Sequence, residues 1–90
     1  MAQVLCEVLA GLRDSESAVA VRDIRGHKYF LRVETGFLAR VNSCCYLPVR
    51  TVGIDAAKQL ALIELPHEAD SGVNRLWVRP ADLRELSVAI

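Results

Sequence analysis

Three cysteines and two histidines are the most reactive side chains of this 90-residue sequence. Cys44 and Cys45 are adjacent, and Cys6 lies far from them along the chain. Zinc sites draw on Cys-x-x-Cys pairs whose thiolates converge on one ion, whereas neighbouring residues of a strand point to opposite faces. We therefore expect no metal and no other cofactor, with one or two cysteines buried as small hydrophobic residues. A redox or metal site at Cys44 and Cys45 is the alternative.

The sequence contains no recognisable catalytic pattern. His27 and His67 have no nucleophile beside them, and both are expected to be solvated loop residues. Ser71 lacks the Gly-x-Ser-x-Gly framing that exposes a nucleophilic serine, and no phosphate-binding glycine loop or His-Glu-x-x-His motif occurs. We predict that the protein is not an enzyme.

The longest polar connection, residues 67–75, is the best candidate for a recognition site. Four of its side chains can hydrogen-bond to a partner, a ligand or a cation: Glu68, Asp70, Ser71 and Asn74. Their spacing does not match a calcium-binding loop, and turn formation alone also explains them. Long loops on a rigid barrel are nevertheless a common place for binding, and we extend the candidate site to Arg75 and Trp77.

Trp77 is the only tryptophan, and it alternates with Leu76 and Val78. In a strand one of these two sets faces inward. If Leu76 and Val78 are buried, Trp77 is exposed between Arg75 and Arg79, and Trp and Arg dominate binding hot spots. Otherwise Trp77 packs in the core, as tryptophan commonly does.

Eleven basic and eleven acidic residues are interspersed along the chain, so the composition gives no signature of nucleic-acid or membrane binding. A chain without net charge can still bind nucleic acid if its basic residues cluster on one face. Arg22, Arg25, Lys28 and Arg32 surround one predicted hairpin, and they would support nucleic-acid binding if the fold gathers them on one face.

Length and composition predict one small domain spanning residues 1–90. The N-terminus lacks the basic and apolar regions of a signal peptide, and an odd number of cysteines does not suggest a disulfide scaffold. We therefore expect a cytoplasmic protein with reduced thiols. The hydrophobic fraction of 52% is high for a domain with so much surface, which favours a covering partner or a second copy.

The first half of the chain predicts strands. Residues 3–12 have apolar spacing that fits either a strand or a helix, and their β-branched valines favour the strand. Residues 18–24 and 27–33 form two β-rich runs separated by Arg25-Gly26, which predicts a hairpin. Its core-facing side chains are predicted to be Val19, Val21, Tyr29, Leu31 and Val33.

The second half predicts another hairpin. Residues 40–43 are expected to form a loop, and residues 45–55 and 60–66 to pair across a turn at 56–59. Pro48 is expected at a strand start, an edge or a bulge because it cannot donate a hydrogen bond. The remaining aromatic side chains are expected to pack in the core or at the barrel ends: Tyr29, Phe30, Phe37 and Tyr46.

Short strands joined by hairpins, without long helices, predict an all-β fold: a small barrel of about five to six antiparallel strands with short helical turns. The strand at 75–79, running into a helical turn that begins at Pro80, resembles the corresponding part of SH3-like barrels. This resemblance implies an architecture and no site residues. The predicted function is a non-enzymatic binding or regulatory module for a protein partner or a second copy, using the 67–77 region and an open strand edge.

Overall fold

The computed structural model describes residues 2–13 and 15–85, with residues 10–13 and 85 described by their backbone alone. Two three-residue 3-10 turns, Thr35–Phe37 and Pro80–Asp82, are the helical elements of this part of the chain, and no helix in it could cross a membrane. The strands are β1 (Ala2–Arg13), β2 (Glu16–Arg22), β3 (Lys28–Glu34), β4 (Ala39–Val41), β5 (Cys44–Asp55), β6 (Leu60–Glu64), β7 (Arg75–Val78) and β8 (Leu83–Glu85).

The strands form one antiparallel sheet that curls into a half-barrel. Its main order is β3-β2-β1-β5-β6-β7, with β4 added beside β5 and β8 beside β1. Register shifts between Val8 and Arg13 in β1, and between Thr51 and Gly53 in β5, interrupt the pairing of the two longest strands. Such bulges bend a strand and increase its twist, which lets β1 and β5 each serve two parts of the curled sheet. The all-β fold class is confirmed.

β1 resolves the ambiguity of residues 3–12 in favour of the strand. Ala2, Val4 and Cys6 are buried, whereas Leu5 and Glu7 are exposed, which is the two-residue period of a strand. β1 pairs with three other strands, β2, β5 and β8. Residues 2–4 are paired on both edges, with β5 and β8, and the later part of β1 pairs with β2.

The first predicted hairpin is confirmed, with a longer turn than the sequence suggested. β2 and β3 pair from Glu16 opposite Glu34 to Arg22 opposite Lys28. The turn spans residues 23–27, and Gly26 has a φ of +82°, the conformation that favours glycine. Val19, Val21, Leu31 and Val33 are buried, and Tyr29 packs against them, as predicted.

The second predicted hairpin is also confirmed. Asp55 pairs with Leu60 across the turn at 56–59, and Ile63 is fully buried in β6. Pro48 lies within β5, between the residues that pair with β4 and those that pair with β6. Its missing N–H therefore falls near a change of partner, which is the interrupted pairing expected for proline.

Two short strands were not predicted. Residues 40–43 were expected to form a loop, but Val41 pairs with Cys44, and Asn42 and Ser43 form the tight turn between β4 and β5. Both turn residues have positive φ, of 51° and 70°, as hairpin turns of this kind require. β8 follows the helical turn at Pro80 and pairs with the start of β1. With these additions the described residues form eight strands, where five to six were expected.

The expectation for the aromatic side chains is partly wrong. Phe30 and Phe37 are 42% and 45% exposed and do not fill the core. Phe30 lies on the outer face of β3, because its inward neighbours Tyr29 and Leu31 occupy the core side. Tyr46 is half-buried on the outer face, where the Arg84 guanidinium lies 5.0 Å from its ring centre.

Candidate functional site

The loop between β6 and β7 closes the gap between the two ends of the sheet. The Asp70 N–H donates to the carbonyl oxygen of Phe30 in β3, at 2.8 Å, and Ala69 of the same loop is buried. The Leu65 N–H donates to the carbonyl oxygen of Asn74 at 2.7 Å, which joins the two ends of the loop. The loop is therefore held against β3, and its backbone occupies part of that strand's outer edge.

His67 adds a side-chain contact to the same edge. Its Nε2 lies 2.6 Å from the carbonyl oxygen of Arg32, two residues beyond the bond that Phe30 accepts. The imidazole is exposed, as expected for a loop histidine, but it also contacts β3. His67 thus helps to position the loop.

The structure resolves the two alternatives for Trp77. Leu76 and Val78 are buried, with 3% and 0% of their surface exposed, and Trp77 is 39% exposed. Trp77 pairs with Leu62 of β6, so the two side chains share the outer face of the barrel. With Leu76 and Val78 buried, Trp77 is exposed and is therefore a candidate binding anchor.

Trp77 borders a cleft of about 450 Å³ between the β2–β3 turn and the β6–β7 side of the barrel. The Ile24 N–H donates to the carbonyl oxygen of Trp77 at 3.0 Å, which fixes the turn against β7. Ile24 is 41% exposed and Leu60 also lines the cleft. The cleft therefore combines a partly exposed apolar surface with ionisable side chains along its lining: Asp23, Arg25, His27, Asp55, Lys58 and Arg75.

The Asp23 carboxylate organises the turn that forms one wall of this cleft. Its Oδ1 accepts the N–H groups of Arg25 at 2.8 Å and His27 at 3.0 Å, and its Oδ2 accepts the Tyr29 hydroxyl at 3.0 Å. Burial alone would raise the pKa of this carboxyl, but the three hydrogen bonds, with the charge of His27 assisting, lower the pKa below its ordinary value. The bond to Asp23 in turn raises the pKa of Tyr29. Asp23 is thus an ionised structural group.

The cations around Trp77 differ in whether a carboxylate already holds them. Arg75 is 3.1 Å from Glu64, and Arg79 is 3.5 Å from Asp82. Among the described residues, Arg25 and Lys58 form no ion pair. The positive charge that remains available to a partner is therefore at Arg25 and Lys58, and not at the two arginines that flank Trp77.

The cleft gathers only part of the predicted site. Arg75 and Trp77 line it, whereas Glu68, Asp70, Ser71 and Asn74 are exposed on the loop and do not. The sequence reasoning missed Ile24 and Lys58, because both reach the cleft through turns that are distant from β7 in sequence. The sequence did offer one signal for Ile24. It is an isoleucine at the tip of the predicted first hairpin, where side chains are expected to be exposed.

Three of the four basic residues considered for nucleic acid share one surface. Arg22, Lys28 and Arg32 lie on the outer face of the β2–β3 hairpin, where the exposed Phe30 separates Lys28 from Arg32. Arg25 is in the turn at the Trp77 cleft. Lys28 is paired with Glu7 at 3.2 Å, and Glu16 and Glu34 occupy the far end of the same face. The face is therefore mixed in charge.

Cys44 and Cys45 face opposite sides of β5, as adjacent residues of a strand do. Cys44 is exposed and Cys45 is buried, and Cys6 is also buried. No group of three or more metal-ligating side chains occurs within residues 2–13 and 15–85.

The sequence matches no known protein family, and searches of curated proteins and of solved structures give no significant match.

Proposed function

We propose that this chain is a non-enzymatic, SH3-like binding module of the cytoplasm, and that it docks a segment of another protein at the Trp77 cleft. The observation that carries the proposal is the 39% exposure of Trp77 above the buried Leu76 and Val78. A large, rigid aromatic side chain that is already positioned loses little conformational freedom on binding, which is why tryptophan is enriched at hot spots.

The cleft suggests the chemistry of the segment. Ile24, Leu60 and Trp77 offer apolar contact, and Arg25 and Lys58 offer positive charge with no ion-pair partner among the described residues. We therefore expect a peptide with an apolar side chain against Trp77 and an acidic residue beside it. A partner carboxylate would gain charge-assisted hydrogen bonds there.

Side chains, and not a free strand edge, support docking in this region. The carbonyl oxygens of Trp77 and Phe30 already accept hydrogen bonds from Ile24 and Asp70. An added strand would have to displace these bonds. We accordingly place the affinity in the Trp77 cleft, and treat self-association as the case in which the partner segment belongs to a second copy.

The test is selection of a displayed random-peptide library on the wild-type chain, followed by affinity measurements on three variants. Trp77→Ala is expected to weaken the selected peptides about tenfold or more, or about 1.4 kcal/mol. Lys58→Glu is expected to weaken peptides that carry an acidic residue. Phe37→Ala removes an aromatic side chain of similar exposure outside the cleft, and is expected to change nothing.

Peptides that bind wild type and Trp77→Ala equally would contradict the proposal. So would selected peptides with no apolar residue in common. Sedimentation of the wild-type chain and of Trp77→Ala, over a range of concentrations, reports whether the chain self-associates and whether that association needs Trp77.

A second candidate function is nucleic-acid binding, and the outer face of the β2–β3 hairpin is the observation that favours it. Phe30 can stack on a base, and Arg22, Lys28 and Arg32 can contact phosphates. Binding of a single-stranded oligonucleotide that falls steeply with added salt, and that Phe30→Ala weakens while Trp77→Ala does not, would support this function over the first.

A further inference from the structure

Cys6 and Cys45 lie directly opposite each other on neighbouring strands. They are register partners in the antiparallel pairing of β1 with β5. Both side chains face the core, with 8% and 7% of their surface exposed. Opposed residues of antiparallel strands have Cα atoms about 4.5–5.5 Å apart. Disulfides span Cα separations of about 4.4–6.8 Å, so the backbone already has a separation that a disulfide can bridge.

The two thiols also interact. Burial raises the pKa of the Cys6 thiol to about 12, and the neighbouring Cys45 adds to the rise through its charge and a hydrogen bond between the side chains. Cys6 is therefore protonated at neutral pH. The thiolate is the reactive form of cysteine, so oxidation of the pair requires one of the two sulfurs to lose its proton first.

A second cleft, of about 460 Å³, adjoins the pair. Cys6 and Cys45 line it, and so does the exposed Cys44. Cys44 lies next to Cys45 in β5 but on the opposite face, because successive side chains of a strand alternate. Cys44 is thus the most accessible thiol, whereas Cys6 is the one aligned with Cys45.

We propose that Cys6 and Cys45 form a reversible cross-strand disulfide, with a peroxide as the oxidant. One sulfur of the pair, as its thiolate, attacks one oxygen of hydrogen peroxide; the O–O bond breaks, and a sulfenic acid and hydroxide form. The sulfur of the other cysteine then attacks the sulfenic sulfur, the S–O bond breaks, and the proton of that thiol leaves with the departing oxygen as water. Overall, two thiols and one hydrogen peroxide give one disulfide and two waters. A thiol reductant reverses the reaction by exchange.

The disulfide would tie together the two central strands of the sheet. β1 and β5 are the longest strands, and each carries neighbours on both sides. Closing the chain between Cys6 and Cys45 restricts the unfolded state, and we expect oxidation to raise the Tm by about 10 °C or more. The fold would then be more resistant to unfolding in the oxidised state.

The experiment treats the folded, fully reduced chain with hydrogen peroxide, blocks the remaining thiols by alkylation, and maps the peptides without reduction. Cleavage after arginine leaves Cys44 and Cys45 on one peptide, residues 41–50. The decisive sample is therefore Cys44→Ser, in which a link to Cys6 can only involve Cys45. We expect that link, and the rise in Tm, in wild type and in Cys44→Ser, and we expect both to disappear on reduction.

Several results would overturn the proposal. One is a link that forms in wild type and Cys45→Ser but is lost in Cys44→Ser. Another is oxidation of Cys44→Ser to sulfinic or sulfonic acids without a link. A third is a Cys44→Ser chain whose two thiols stay reduced until it unfolds. All three include a readout in Cys44→Ser, which leaves the aligned pair intact, so a folding defect in Cys45→Ser does not obscure the answer.

Discussion

Removal of the Asp23 carboxylate tests how the first hairpin turn is stabilised. Asp23→Ala deletes three hydrogen bonds, to the N–H groups of Arg25 and His27 and to the Tyr29 hydroxyl. The two N–H groups lie in exposed residues and can bond to water instead, so each bond is assigned about 0.5–1 kcal/mol. The expected loss of stability is about 2 kcal/mol, or a fall in Tm of about 8–16 °C.

The effect should also depend on pH in a defined direction. Asp23 has its pKa lowered by folding, below the ordinary value of 3.8. Its contribution is therefore fully present above that ordinary value, and is lost as the pH falls through the lower value of the folded state. The difference in stability between wild type and Asp23→Ala should not shrink near neutral pH and should shrink only in strong acid.

Urea titrations followed by the fluorescence of Trp77, the single tryptophan, measure the loss of stability and its dependence on pH. Asp55→Ala is the matched control, because the Asp55 carboxylate accepts one backbone bond, from Lys58 at 3.1 Å. We expect that control to lose about 0.5–1 kcal/mol. A loss for Asp23→Ala no larger than that of Asp55→Ala, or one that shrinks already between pH 7 and 5, would refute the reasoning.

Two further pairs of substitutions test the core and the turn. Ile63→Ala removes a fully buried side chain and should lower the free energy of unfolding by about 2–5 kcal/mol. Ile54→Ala, at a residue 75% exposed, should lower it by less than about 0.5 kcal/mol. Similar losses from the two substitutions would contradict the burial pattern. Gly26→Ala should destabilise by about 1 kcal/mol, because φ is +82° there although a methyl group would meet no neighbour. Gly36→Ala, at an equally open position outside the left-handed region, should be neutral or slightly stabilising in thermal melts. A loss equal to that of Gly26→Ala would contradict the assignment of the Gly26→Ala loss to its positive φ.

The features that sequence reasoning found are those encoded within a few residues. Alternation of side-chain type correctly placed Val19 and Val21 on the core side of one strand. The same alternation left two possibilities for Trp77, buried or exposed, and the burial of Leu76 decides for the exposed one. Period and turn chemistry are local properties, so they can be read from one sequence.

The missed features depend on partners that are far away in sequence. β8 is three residues long and is a strand because Leu83 meets Val4 at the other end of the chain. The Trp77 cleft exists because the Ile24 N–H reaches the Trp77 carbonyl oxygen across the barrel. Likewise, nothing local indicates that Cys6 aligns with Cys45. Such alignments follow from the register of non-neighbouring strands, which short-range patterns do not specify.

The pairing of β8 with β1 has a consequence for how the chain is made. Ala2 faces Glu85 across that pairing, so almost the whole described chain must leave the ribosome before the contact can form. Until then the Val4 edge of β1 exposes unsatisfied backbone groups next to apolar side chains. Unpaired edges of this kind recruit other strands, and contacts between such distant residues form slowly. We therefore expect the interval between synthesis of β1 and arrival of β8 to be the stage at which pairing of this edge with other strands is most favoured.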